Sequence, residues 1–341
     1  MNTSAIFLLL ACGTKGTVSI DDTGVSGADT VDAGAGDDTA ITDDTTTTDD
    51  TSPPADDTAT DDTATDDTDD TDDTDDTGYT DTGVVPAADY RLTGGLGLSS
   101  ESITVVTATC DAAVTVYTPD GGGPLVVLGH GFLRGAVQME GWAEHYASWG
   151  LTVAVPELCH SSLFDTDHEA NAADMVDIAE ALGGAAIYAG HSAGGLAALL
   201  AAGLDDGAVG VMGLDAVDAS DLGIEGVGAV SAPVYGVFGE SSLCNASNNG
   251  ITMYAAAADY QGMRVSEADH CDFEFETDWV CTLACTGSND DFSDGAIRDA
   301  ILGLTTAGLM ELSGLDSASG WWSAGEFYET LTESGAAAPL Y

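Results

Sequence analysis

The chain has 341 residues, and its 59 acidic and 5 basic side chains give a formal net charge of −54. This charge argues against nucleic acid as a partner, because binding a phosphate backbone requires lysine and arginine to displace counterions. No apolar stretch reaches the roughly 18 residues that a membrane-spanning helix needs, so the sequence predicts no such helix.

The first twelve residues, MNTSAIFLLLAC, contain a short apolar run that ends in Leu9-Leu10-Ala11-Cys12. This ending resembles the lipobox of bacterial lipoproteins, in which the cysteine is lipidated and becomes the mature N-terminus. A short apolar run with a small residue before the cleavage point is typical of a signal peptide. We therefore expect an exported protein attached to the bacterial cell envelope through a lipid on Cys12. The alternative is an ordinary secretory signal, which would release a secreted protein.

Residues 13–88 form a tract of aspartate, threonine, glycine and alanine, with TDDTDDTDDT at 68–77. Few large apolar side chains and strong charge repulsion prevent such a tract from burying enough surface to fold. It is therefore predicted to be a disordered acidic linker that precedes a folded domain at 89–341. A calcium-binding array is the alternative, but the repeat lacks the glycine turn and distal glutamate of an EF-hand loop.

Six cysteines follow Cys12: Cys110, Cys159, Cys244, Cys271, Cys281 and Cys285. An even number in an exported domain favours disulfides in an oxidising compartment. The sequence does not choose among their pairings. A zinc site is less favoured, because the spacings lack two short Cys-x-x-Cys pairs.

From residue 102 onward, short β-branched runs alternate with longer alanine-rich runs. The predicted elements, in chain order, are strands at 103–109, 113–117 and 124–128, a helix at 138–149, a strand at 151–155, a helix at 171–182, a strand at 185–189, a helix at 193–202, strands at 209–214 and 234–238, a short helix at 251–258, a last strand at 262–265 and a closing helix at 292–312. Alternating strands and helices predict an α/β domain whose mostly parallel sheet is covered by helices on both faces. Chemistry in such domains lies at the carboxyl ends of the strands.

One predicted strand end reads Gly190-His191-Ser192-Ala193-Gly194-Gly195. It follows an apolar strand and opens an alanine-rich helix, which is the setting of a nucleophile elbow. The flanking glycines have a physical reason, because a serine in so sharp a turn fits only if the positions two before and two after it lack side chains. Ser192 is therefore the candidate nucleophile.

A second strand end reads Gly129-His130-Gly131-Phe132. A flexible glycine after a buried strand allows this loop to direct a backbone N–H toward the reacting group. The N–H groups of Phe132 and Ala193 are the candidate oxyanion hole. We expect His130 to brace the loop rather than act as the base.

A serine nucleophile needs a base, and His270 is the candidate because it follows the last predicted strand. We expect solvated or capping roles for His145 and His168, a ring directed away from Ser192 for His191, and a place at the mouth of the site for His160. The third member must orient the imidazole. Asp215, which follows the strand after the nucleophile helix, is the first candidate, Glu240 is the runner-up and Asp218 is third.

These motifs, in the order serine, aspartate and histidine, resemble the α/β-hydrolase fold. The strand ending in Gly213-Leu214-Asp215, the GHSAGG elbow and the Ala-x-His-x-x-Phe loop at 268–273 are similar to chlorophyllases, platelet-activating-factor acetylhydrolases and bacterial polyester hydrolases. The likeness covers roughly residues 125–312, and the chain departs from it in its cysteine set and in lacking a recognisable lid.

The resemblance implies a serine esterase that works through an acyl-enzyme and needs neither a metal nor an organic cofactor. The charge of the domain favours a neutral ester as substrate, and we expect a monomer. The alternative, from a different class, is a non-catalytic surface protein that binds a partner or calcium on a hydrolase scaffold.

Overall fold

The structure is a computed structural model that describes residues 87–285, 287, 290–317 and 320–340. Two predicted segments lie outside the described residues. They are the signal peptide at 1–12, which includes Cys12, and the linker at 13–88 except for its last two residues. Within the described residues, no helix is both long and apolar enough to cross a bilayer.

The first half of the domain contains seven strands and three helices. In chain order these are β1 (Leu98–Val106), β2 (Asp111–Pro119), β3 (Leu125–Gly129), α1 (Glu140–Ser148), β4 (Thr152–Pro156), β5 (Ser161–Ser162), β6 (Asp165–Thr166), α2 (His168–Leu182) and α3 (Ala193–Leu204), with β7 (Ala186–His191) between the last two helices. A 3₁₀ turn at Ala136–Met139 precedes α1.

The second half continues the alternation. It contains β8 (Gly210–Leu214), α4 (Leu222–Gly226), β9 (Val234–Phe238), α5 (Asn249–Ala255), β10 (Tyr260–Val265), α6 (Trp279–Cys285), α7 (Asp294–Ser313), α8 (Glu326–Glu333) and β11 (Ala337–Leu340). A further 3₁₀ turn, His270–Phe273, follows β10.

Nine of these strands form one sheet in the order β1-β2-β4-β3-β7-β8-β9-β10-β11. The six central strands of this sheet, β4, β3, β7, β8, β9 and β10, are mutually parallel. β1 and β2 at one edge, and β11 at the other, pair antiparallel with their neighbours. β5 and β6 form a separate small hairpin. The prediction of an α/β domain with a mostly parallel sheet is confirmed.

The central strands are buried on both faces, which explains their continuous apolar sequences. Every residue of β3, β7, β8 and β9 is buried. One apolar cluster packs α1 and α7 on one face of the sheet, and a second packs α2, α3 and α5 on the other. This double cover holds the strand ends rigidly enough to position side chains.

The structure differs from the predicted elements at the sheet edges. Residues 262–265 are not the last strand, because β11 pairs with β10. Its sequence, AAPL, contains a proline and little β-branching, and such a segment is tolerated only at an edge. The first strand begins at Leu98 and ends at Val106 rather than running from 103 to 109, because it pairs along the whole of β2. The short elements β5, β6, α4, α6 and α8 were not predicted, because each has eight residues or fewer and a window of 11 to 18 residues is needed to recognise a period.

The six cysteines of the domain form three disulfides. Cys110–Cys159 joins the turn between β1 and β2 to the loop after β4. Cys244–Cys285 and Cys271–Cys281 fasten the loop after β9 and the turn after β10 to α6. The last two therefore brace the loops that surround His270.

Candidate active site

Three side chains from the carboxyl end of the sheet meet in one hydrogen-bonded chain. Ser192 follows β7, Asp215 follows β8, and His270 lies in the turn after β10. Ser192 Oγ is 3.0 Å from His270 Nε2, and His270 Nδ1 is 2.6 Å from Asp215 Oδ2. Because an ionised carboxylate only accepts, Nδ1 carries the proton and Nε2 is left to accept from the serine hydroxyl.

Ser192 occupies a strained turn between β7 and α3. Its backbone has φ 56° and ψ −122°, a conformation that residues other than glycine rarely adopt. A Cβ at Gly190 would lie 2.3 Å from Gly194, and a Cβ at Gly194 would lie 2.5 Å from the Gly129 carbonyl oxygen. The two glycines of the motif therefore permit the close approach that the turn requires.

Asp215 is fully buried and has a left-handed backbone, with φ 44°. Aspartate tolerates this conformation better than most residues. Its Oδ1 accepts a hydrogen bond from Gly239 N at 3.0 Å, and the Asn245 side-chain amide donates toward both of its oxygens, at 3.4 and 3.2 Å. A buried carboxylate requires such donors, so the anionic form of Asp215 is satisfied without water.

The turn that carries His270 is fixed from both sides. Asp269 caps it by accepting hydrogen bonds from Cys271 N and Asp272 N. His191 Nε2–H donates to the carbonyl oxygen of His270 at 3.1 Å, and the two rings lie 4.5 Å apart. Burial, with a further contribution from the neighbouring His270, lowers the pKa of His191 well below its usual value. His191 is therefore neutral beside the candidate base.

The predicted oxyanion groups lie against the serine. A Cβ built on Gly131 would lie 3.2 Å from Ser192 Cβ, so the loop that carries Phe132 passes directly over the elbow. Ala193 is the first residue of α3, where an N–H has no intrahelical acceptor. Among the hydrogen bonds of residues 87–285, neither Phe132 N–H nor Ala193 N–H has a protein acceptor.

An ion pair ties this loop to the segment that follows His270. Arg134 donates from Nε and Nη2 to the two oxygens of the buried Glu274, at 2.5 and 2.6 Å. Its Nη1 donates to Asp278 at 3.0 Å. A bidentate pair of this kind fixes orientation as well as distance. The Arg134 side chain thus holds the candidate oxyanion loop at a fixed distance from the segment of the candidate base. Sequence reasoning did not identify this role of Arg134.

The runner-up acids have other contacts. The Glu240 carboxylate is 48% exposed, and its nearest cation is Arg264 at 3.9 Å. Asp218 accepts hydrogen bonds from Gly223 N and Ile224 N, at the start of α4. Within the described residues, Asp215 is the acid that contacts His270.

The remaining histidines are structural. His130 braces its loop as expected, because its Nε2 accepts from Leu158 N at 2.9 Å, and burial lowers its pKa. His145 was expected to be solvated, but it is buried and donates to the Tyr90 carbonyl oxygen. His168 opens α2 half-buried, and Asp167 supplies the cap instead. His160 contacts Asp165 and Thr109, at 2.9 Å each.

Two clusters of potential metal ligands occur among the described residues. One contains Cys271, Cys281 and Cys285, and the other contains Cys110, Cys159 and Asp174. Every cysteine in both is part of a disulfide, so neither offers a thiolate.

A pocket of about 490 Å³ opens beside the candidate oxyanion loop, with Leu133, Arg134, Leu158 and Ser161 among its lining residues. Its lining includes the two residues that follow Phe132, but not Ser192 or His270.

Comparison with known proteins gives no identification, since no family model and no curated protein matches this chain. The geometry of the site is therefore the basis for the function proposed below.

Proposed function

We propose that this protein is a serine hydrolase that cleaves carboxylic esters through Ser192, His270 and Asp215. The observation that carries the proposal is the continuous chain of hydrogen bonds from the Ser192 hydroxyl through His270 to the buried Asp215 carboxylate. The strand order, and the position of the three residues after β7, β8 and β10, support the α/β-hydrolase fold that the motifs resemble.

In the first half-reaction, Ser192 Oγ attacks the ester carbonyl while His270 Nε2 takes its proton. Asp215 stabilises the imidazolium through Nδ1. The negative charge that develops on the carbonyl oxygen is stabilised by Phe132 N–H and Ala193 N–H. His270 then returns the proton to the alkoxide oxygen as the C–O bond breaks, so the alcohol leaves and Ser192 is acylated.

The second half-reaction repeats this sequence with water. His270 removes a proton from the water as its oxygen attacks the acyl carbon, and the same N–H groups stabilise the oxyanion. The C–O bond to Ser192 then breaks, His270 returns the proton to Oγ, and the acid is released. The residues present supply every proton transfer in the cycle.

The electrostatic character of the domain supports an uncharged substrate. Residues 90–341 contain 35 acidic residues and four arginines, and one of these, Arg134, is bound to Glu274 and Asp278. Anionic esters would approach against this field. We also propose that the protein is exported and attached through Cys12 at the cell envelope. The three disulfides support export to an oxidising compartment, and the attachment rests on the lipobox-like sequence before Cys12.

The test is turnover of a panel of neutral aryl esters with acyl chains of increasing length. The wild type is expected to hydrolyse at least the short esters, and Ser192→Ala is expected to hydrolyse them no faster than buffer. The matched control is Ser313→Ala, which removes a hydroxyl at the end of α7 and leaves the proposed triad and the pocket intact. Hydrolysis by Ser192→Ala at the wild-type rate would contradict Ser192 as the nucleophile, whereas a folded wild type that hydrolyses none of the esters would favour a binding function.

A further inference from the structure

The loop after β9 contains a buried amide for which the reaction scheme has no role. Asn245 is fully buried, and its side-chain amide lies 3.2 Å from Asp215 Oδ2, the oxygen that also accepts from His270. The loop sequence, ESSLCNASNNG, is polar and offers no apolar reason for this burial. Burying an amide is costly unless its hydrogen bonds are satisfied, so the contacts of Asn245 need an explanation.

The hydrogen bonds of Asn245 fix which way its amide faces. Its Oδ1 accepts from Ser242 N at 2.8 Å and from Asn248 N at 3.2 Å. Its Nδ2 donates to the Glu240 carbonyl oxygen at 2.7 Å and toward both oxygens of Asp215. The reverse orientation would place an oxygen against three acceptor atoms and a donor against two N–H groups. The donor therefore faces Asp215.

We infer that Asn245 is a positioning residue that holds the Asp215 carboxylate in its anionic form and in the orientation that receives His270. The inference rests on the proposed function. Asp215 has no contact with solvent, so Gly239 N–H and the Asn245 amide replace the water that would otherwise stabilise its charge. The cross-link between Cys244 and Cys285 fastens the residue next to Asn245 to α6, which fixes the distance over which the amide donates.

The consequence for protonation has a definite sign. The Asn245 amide stabilises the state in which the Asp215–His270 pair carries one negative charge. Without that amide, the pair takes up a proton at a higher pH, whether the proton is assigned to the imidazole or to the carboxylate. Since His270 must be unprotonated to accept the serine proton, the acid limb of the pH–rate profile moves upward.

The other ionisable groups around the pair have contacts that do not involve the Asn245 side chain. His191 lies against the ring of His270 and is neutral. Asp269 and Asp272 lie on the turn of His270 itself, and both accept hydrogen bonds from that turn. Arg134 is held by Glu274 on the far side of the oxyanion loop. A change in the acid limb is therefore attributable to the amide.

The test compares Asn245→Leu with Asn249→Leu in the full-length protein. Asn249 makes a similar pair of bonds in a partly buried position, accepting from Asp218 N and donating to Asp218 O, and these bonds do not involve Asp215. We expect Asn245→Leu to lower kcat between about 10- and 100-fold, the scale for a lost hydrogen bond to a charged group. The acid limb of kcat/KM should rise by about one pH unit. Asn249→Leu should stay within about threefold of wild type with its acid limb unmoved.

The outcomes separate the inference from the proposed function. A wild type that hydrolyses no ester and takes no fluorophosphonate label refutes the proposed function and the inference with it. An active wild type whose two variants lose activity alike, with unmoved acid limbs, refutes the inference alone. Should Asn245→Leu fail to fold, Asn245→Ser removes the amide without adding an apolar side chain, and Asn249→Ser is its control. The inference then requires the same upward shift of the acid limb of kcat/KM in Asn245→Ser.

Discussion

Replacement of Asp215 by asparagine separates the proposed acid from its nearest rival. Asparagine has the same shape and tolerates the left-handed backbone at this position, so the variant is expected to fold. It removes the charge that faces His270 Nδ1 at 2.6 Å and can present an N–H₂ group instead of an acceptor. The imidazole then loses the partner that fixes its tautomer.

The magnitude follows from how much of the carboxylate is used. Asp215 is fully buried, and both of its oxygens accept hydrogen bonds. Water therefore has no access to the position of the carboxylate and does not compensate for the loss of its charge. We expect Asp215→Asn to lower kcat by roughly three to four orders of magnitude, the cost of a wrongly oriented imidazole. Glu240 is 48% exposed with a cation 3.9 Å away, and pairs of this kind contribute little. Glu240→Gln should therefore cost less than about tenfold.

The assay is steady-state hydrolysis of a neutral aryl ester, with circular dichroism to show that both variants are folded. A crippled Glu240→Gln beside a nearly normal Asp215→Asn would refute the assignment of the acid. It would leave Ser192 and His270 as candidates, because their contact does not depend on which acid is used.

Three further predictions concern stability. The melting temperature should rise from low salt to molar NaCl, because salt screens the repulsion among the 35 acidic residues at 90–341; an unchanged value would contradict this. The denatured domain should show no free thiol at the six disulfide cysteines and should melt lower under reductant, each bridge contributing about 2–4 kcal/mol; four or more free thiols would contradict it. Burial raises the pKa of Asp272 to about 6, so stability should fall as pH rises from about 4 to 6, and Asp272→Asn should flatten that dependence in urea titrations. Equal slopes for variant and wild type would count against it.

Much of the central sheet could be predicted because its strands are buried on both faces and therefore leave continuous apolar runs. The run PLVVL became β3, and the run AAIYA became β7, followed directly by the elbow. The edge strand β11 could not be predicted, since pairing with β10 rather than its own composition makes it a strand. His145 shows the same limit, because its burial depends on Tyr90, which is distant in sequence.

The candidate triad could be predicted because strand ends of a parallel sheet meet at one edge, so residues after β7, β8 and β10 were expected together. The supporting residues were missed for a physical reason. Arg134 acts on Glu274, and Asn245 acts on Asp215, across 140 and 30 residues of sequence. Spacing along the chain carries no signal for such contacts. The disulfide pairings were left open for the same reason.

The most direct test of the central claim is covalent labelling by a fluorophosphonate, followed by mass spectrometry of the digested protein. The reagent reacts with a serine only when a base activates the hydroxyl. The account predicts one label per chain, on the peptide that contains Ser192, lost in Ser192→Ala and strongly slowed in His270→Ala. Absence of a label in folded wild-type protein, or a label on another serine, would contradict it.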